Sequence, residues 1–159
     1  MYVTFKNIMI FDKNEYFELL ELKKRYNNQR KSFFKEDFDN YRKLINYQAN
    51  LSTQIYWRDR KKYVSIIKSF INDVISADDF TNEFWALWTK NRDALDTIEI
   101  NFDPNPKLIG FCNIVDEIFH HCEMFEPGSE QNEEYNVIWL KNSLKKTLVK
   151  IQKYLGEVT

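Results

Sequence analysis

Apolar residues along this chain recur at intervals of three and four, the spacing that lines one face of a helix. From 14 to 27 the set is Tyr16, Leu19, Leu20, the stem of Lys23 and Tyr26. A polar break over 27–32 follows. A second stripe of Phe34, Phe38, Tyr41, Ile45, Gln48 and Leu51 then predicts a helix over 34–51 that loosens near 50–53. The third stripe is the widest: Tyr63, Ile66, Ile67, Phe70, Ile71 and Val74 predict a helix over 57–74 with a broad core face. Ser76 and Asp79 form a variant capping box, flanked by Ile75 and Phe80 in staple positions. A fourth helix therefore starts there and turns Phe80, Phe84, Leu87, Trp88 and Leu95 inward. A fifth starts near Pro106, a favoured first-turn residue, and buries Leu108, Phe111, Cys112, Val115, Ile118, Phe119 and Cys122. Beyond the turn at 126–129 a sixth covers 133–155, with Val137, Leu140, Leu144, Leu148, Ile151 and Leu155 inward and Gly156 ending it.

Residues 2–11 alternate weakly, and only 97–102 offer a second strand to pair with them. One short strand or extended arm beside the helices is the expectation. The fold class is all-α: an antiparallel bundle of five to six helices with short loops. At 159 residues the chain is one domain, 1–159, large enough to bury a core of its own. Three glycines and three prolines leave no room for Gly-rich phosphate loops or a turn-dense sandwich. Sixteen Asn, fifteen Ile and seventeen Lys against four Ala suggest AT-rich coding, which bears on the genome and not on function. No apolar run approaches the ~20 residues that span a bilayer, and the start lacks the pattern of a cleaved leader. The expected location is cytoplasmic, or an organellar stroma if the gene lies in an AT-rich organelle genome.

The net charge of −1 hides an uneven distribution. Residues 1–60 carry twelve Lys/Arg and eight Asp/Glu; residues 99–137 carry nine Asp/Glu and only Lys107 in return. Asp116, Glu117, Glu123, Glu126, Glu130, Glu133 and Glu134 gather around the end of the fifth helix and the start of the sixth. Glu133 and Glu134 suit a helix N-terminus, where the dipole favours anions. The rest form either a solvated face or a patch that steers a basic partner.

Chemistry finds little purchase. Glu117 and His120 have the Glu-x-x-His spacing of di-iron bundles, but that centre needs a second pair and two more glutamates, and the chain has two histidines. Cys112, His120, His121 and Cys122 on one helix point apart where zinc needs convergence. The cysteines are about 15 Å apart along a helix, too far for a disulfide, and both fall on the apolar stripe as reduced core thiols. No nucleophile elbow, phosphate loop or dinucleotide fingerprint is present. No enzyme, metal or cofactor is expected. The stretch 23–62 interleaves bases with aromatics, and Arg58, Arg60, Lys61 and Lys62 are its candidates for contacting nucleic acid.

The segment from Tyr63 to Trp88 resembles the bacterial self-protective colicin-like immunity family, the group around the colicin D immunity protein. The likeness lies in an amphipathic helix, a tight turn at Asn72-Asp73, the Ile75-Ser76-Ala77-Asp78-Asp79-Phe80 cap, and a helix ending in Phe84, Leu87 and Trp88 before Arg92. It continues through 114–119, Phe125-Glu126-Pro127 and the Lys-rich last helix, so it covers about 60–155. Residues 1–56 then form an N-terminal extension to an immunity-like bundle over 57–156. The resemblance implies an all-helical, non-enzymatic inhibitor that covers the active site of a nuclease toxin, and for relatives near colicin D a tRNA-cleaving one. An acidic face suits a site built to receive phosphates. Two other functions stand beside it: a nucleic-acid-associated helical protein using the basic-aromatic half, and an assembly subunit whose partner covers Trp57, Trp85 and Trp139.

Overall fold

The computed structural model describes residues 11–96, 106–128 and 134–156. All of the arm at 2–11 except Phe11, its possible pairing partner at 97–102, Glu130 and Glu133 lie outside the described residues. Seven α-helices are present among those described, with no strand: α1 (Lys13–Asn28), α2 (Phe33–Glu36), α3 (Phe38–Arg58), α4 (Arg60–Ile71), α5 (Ala77–Asp93), α6 (Pro106–Met124) and α7 (Val137–Leu155). A 3₁₀ turn, Ala94–Asp96, follows α5. The protein is an all-α helical bundle.

Side chains set most of the starts. Asp12, Ser32, Asp37 and Asn136 each accept a backbone N–H from the first turn of α1, α2, α3 and α7. Ser76 and Asp79 close the capping box of α5 in both directions. Each such cap satisfies a donor that the helix leaves orphaned. The α4–α5 turn places Asp73 at φ 60, in the left-handed region that Asp tolerates better than most side chains. Gly156, at φ 71, ends α7.

Helix α3 is the spine, 21 residues and about 32 Å long. It packs along α6, and α1 and α2 rest on it as well. Helix α6 lies in turn against α7, and α4 against α5 and α7. Two groups of buried side chains result. Tyr16, Leu19, Leu20, Phe33, Leu44, Tyr47, Leu51, Ile55 and Leu95 fill the first. The second runs from Tyr56 and Tyr63 through Phe80, Phe84, Phe111, Val115 and Ile118 to Leu140, Leu144 and Ile151. Leu44, Tyr47, Leu51 and Ile55 of α3 belong to the first core, and Tyr56, next along the helix, belongs to the second.

Several expectations change. The helix predicted over 34–51 breaks at Asp37, and its second part runs on to Arg58 without loosening at 50–53. Its inward stripe is also rotated. Leu44, Tyr47, Leu51 and Ile55 are buried, whereas Phe34 and Phe38 are half exposed. They pack edge-to-face on each other, at 5.4 Å, at the surface. The third predicted helix starts at Arg60 because Asp59 turns the chain, and it ends at Ile71, so Val74 is exposed. The sixth begins at Val137 rather than 133. Val137 is exposed there, and Glu134 precedes the helix instead of sitting in its first turn. Asn136 does that capping work with a neutral side chain.

Candidate functional site

The exposed side of α6 forms the floor of an open groove of about 1270 Å³. Trp88 at the end of α5 makes one bank, and Lys150, Lys153 and Tyr154 at the end of α7 make the other. Asp116, Glu117 and Glu123 lie in it with His120, Asn113, Phe119 and Lys107. The groove gathers three of the seven expected acidic residues. Glu126 and Glu134 lie beyond it, exposed at either side of the α6–α7 turn.

The three groove carboxylates differ in state. Glu117 is part of the α6–α7 seam: Lys150 donates to both of its oxygens at 2.8 Å, and the Thr147 hydroxyl donates at 3.3 Å. Burial pushes its carboxyl up, but the Lys150 hydrogen bonds and charge outweigh that and hold it below the usual range. Glu123 is exposed and faces His120 at 3.9 Å. Asp116 is half-buried; desolvation holds its carboxyl above the usual range, and the positive charge of the chain's N-terminus offsets part of that.

His121 points away from the groove floor into the same seam. Its buried Nε2 has no hydrogen-bond partner among the described residues and stands 3.6 Å from Glu117, while its ring meets Trp139 edge-on at 5.5 Å. Burial lowers its pKa, and the Glu117 carboxylate offsets only part of that. The thiols of Cys112 and Cys122 are buried and free, and desolvation pushes each up to about 12, which leaves them unreactive. Among the described residues no three of His, Cys, Asp and Glu converge on a position that could hold a metal ion.

The aromatic wall was invisible to the charge pattern. Trp88 and Phe119 pack at 4.9 Å, and Trp85 meets Phe119 at 4.8 Å. Tyr154 lies over Gly110, and a Cβ at that position would overlap the tyrosine ring. A glycine inside a helix is the one sequence signal for such a close approach.

The basic candidates are mostly engaged at the α3–α4 corner. Arg58 and Lys62 pair with Asp59, which is only 5% exposed, at 3.3 and 3.0 Å. Arg60 stacks on Trp57, 4.6 Å from its centroid, and donates to the Trp57 carbonyl. Lys61 is exposed. Trp57, Trp85 and Trp139 are each half-buried against the main core.

Residues 60–153 match the model of the bacterial self-protective colicin-like immunity family. The chain belongs to that family. Neither the curated proteins nor the solved structures give a match. Membership in the colicin-like immunity family supports a toxin-immunity role, and immunity proteins of this kind typically bind a toxin and catalyse nothing. The matched span contains α4 to α6, most of α7 and every lining residue of the groove except Tyr154. No helix among the described residues is long and apolar enough to cross a membrane.

Proposed function

We propose that this colicin-like immunity protein binds and inhibits a basic, tRNA-cleaving nuclease toxin through the carboxylates at the C-terminal end of α6 and the turn to α7. The observation that carries this is the exposure of Glu123, Glu126 and Glu134 around that turn, in a stretch where the sequence supplies almost no cation. Lys150 of α7 neutralises Glu117, but Glu117 lies about a third of the way back along α6, so the turn stays negative. A ribonuclease site is built to receive phosphates, so an acidic surface both steers the approach and matches the site it covers. No group on this chain has to react, and no cofactor enters the mechanism. The buried thiols suit a reducing, cytoplasmic setting.

Steering of this kind weakens with ionic strength, because exposed charges are screened over about 8 Å at physiological salt. The test is inhibition of tRNA cleavage by a tRNase-type toxin in the presence of this protein. Glu123→Lys, Glu126→Lys and Glu134→Lys together should weaken the complex by about 100-fold, about 2.7 kcal/mol, while the helical circular-dichroism signal stays unchanged. Undiminished inhibition by a folded triple variant would remove the acidic surface from the mechanism.

The nucleic-acid alternative gains no support from the α3–α4 corner. Three of its four cations already serve Asp59 or Trp57.

A further inference from the structure

Helices α4 and α7 pack on each other, and neither carries a single carboxylate. Four of the 12 residues of α4 and five of the 19 of α7 are Lys or Arg. The Asp73–Lys141 pair fixes the end of α4 beside the first half of α7. A chain whose net charge is −1 therefore holds two neighbouring helices of one sign.

The fold uses only some of these cations. Lys62 serves Asp59, Lys141 serves Asp73, Lys150 serves Glu117, and Arg60 stacks on Trp57. Lys61, Lys145, Lys146 and Lys153 are exposed and form no ion pair among the described residues. Lys153, in the last turn, is favoured by the helix dipole. The others gain nothing within the helix. Lys141 and Lys145 are four residues apart, as are Lys146 and Lys150, and like charges at that spacing destabilise a helix. Such an arrangement is stabilised only by anions from outside. The surface around them narrows the kind of anion. The one exposed ring among the described residues of α4 and α7 is Tyr154, which lies over Gly110 of α6, so no platform is present for stacking unpaired bases. The exposed aliphatics of α7 include Ile138 and Val149, about 16 Å apart along the helix, and its continuous apolar face is buried in the core. It therefore lacks the free apolar side with which a helix enters a bilayer surface. Asn142 and Gln152 stand exposed on the same helix, and their amides both donate and accept hydrogen bonds.

We propose that the outward side of α4 and α7 docks the phosphate backbone of a folded, base-paired RNA, with Lys61, Lys145, Lys146 and Lys153 on phosphates and Asn142 and Gln152 on 2′-hydroxyls. The proposal stands apart from toxin docking, which uses carboxylates at the α6–α7 turn. Lysine ammoniums act as point charges and release condensed counterions from the phosphates they meet. The 2′-hydroxyl is both donor and acceptor, which matches the amides of Asn142 and Gln152 and separates RNA from DNA. Paired RNA is recognised by backbone and shape, so the surface selects a duplex over a loose strand and reads no sequence.

The test titrates the full chain into fluorescently labelled tRNA and follows anisotropy. With about four phosphates engaged, affinity should fall about 50- to 150-fold between 50 and 200 mM salt. Lys145→Gln with Lys146→Gln should weaken binding about tenfold at 50 mM salt and lower the logarithmic salt slope by about 1.6. Lys31→Gln with Lys35→Gln, exposed around α2, removes the same charge elsewhere and should bind as the parent does. All four lysines lie at the surface, so the helical circular-dichroism signal should match the parent's in both pairs. A DNA duplex of the same nucleotide count should bind about fivefold more weakly, because it lacks the 2′-hydroxyls. Four results overturn the proposal: no tRNA binding at low salt, equal losses from the two lysine pairs, a DNA duplex held as tightly as tRNA, or phosphatidylserine vesicles held more tightly than tRNA. Toxin inhibition is read in a separate assay, where the Lys145 and Lys146 pair should act as the parent does, so either reading can fail without the other.

Discussion

His121 shows how burial turns an ordinary residue into a pH-dependent one. Its neighbours in the α6–α7 seam are the Glu117 carboxylate, Lys150, His120 and the Trp139 ring. Burial favours the neutral imidazole, so the folded-state pKa lies below the ordinary 6.5. The unfolded chain then binds the proton more readily. The contribution to stability is whole above pH 6.5 and is lost as pH falls through the folded pKa. The carboxyls of Glu117, Glu15 and Asp59 are also held low, and they withdraw stability only further down, below the ordinary carboxylate range. The thermal midpoint should therefore fall in two stages between pH 7 and pH 3. His121→Phe should flatten the upper stage and leave the lower one; a calorimetric series in which both stages persist would put the upper titration elsewhere. Sequence alone could not single out His121 from His120. They are adjacent, and only the packing of α7 shows that one is half-buried and the other exposed.

At the scale of elements, caps and turns were the most legible features. The capping box at Ser76, the left-handed turn at Asn72-Asp73 and the stop at Gly156 all follow from local backbone chemistry, which needs no distant partner. Asp73 adds a tertiary role that sequence did not show: its carboxylate binds Lys141 of α7 at 2.5 Å. Two effects then separate by substitution. Asp73→Val forces a branched side chain to φ 60 and loses the ion pair, which should cost about 1–2 kcal/mol in urea unfolding. Asp73→Gly keeps the backbone and loses only an exposed pair, so its cost should stay below about 1 kcal/mol. Equal losses would mean that the ion pair dominates. The inward face of the second helix was the least legible element. Phe34, Phe38, Leu44, Tyr47 and Leu51 offer more apolar positions than one face can bury, and periodicity cannot choose among them. The choice falls to α1, whose Tyr16 ring meets Tyr47 at 5.8 Å and whose Glu15 accepts from the Tyr47 hydroxyl.

At the scale of the molecule, the family match begins at residue 60, but the packing does not. Helix α3 lies along α6, Trp57 meets Phe111 at 6.2 Å and Tyr56 meets Tyr63 at 6.0 Å. The Tyr16 hydroxyl reaches across to donate to the Leu95 carbonyl. Residues ahead of the matched span thus cover part of its core. Each large apolar side chain so covered contributes about 1.5–3 kcal/mol, and a domain has only about 5–15 kcal/mol in all. A fragment of residues 60–159 should therefore lose cooperative thermal unfolding, while the full chain melts in one step. A sharp melt from the fragment would make 1–59 an appendage after all.

The sequence by itself determined the helical class, the starts of α5 and α6, the stop at Gly156, the buried thiols and the acidic stretch around the α6–α7 turn, because each depends on residues within a turn or two of one another. The tertiary structure alone decided which carboxylates are engaged. Glu117 meets Lys150 across 33 positions of chain, Glu134 and Glu126 stay exposed on either side of the turn, and Trp88, Phe119 and Tyr154 come from three helices to wall one groove. Pattern along a chain fixes which face a helix turns inward, but the charges that face one another are set by how helices cross.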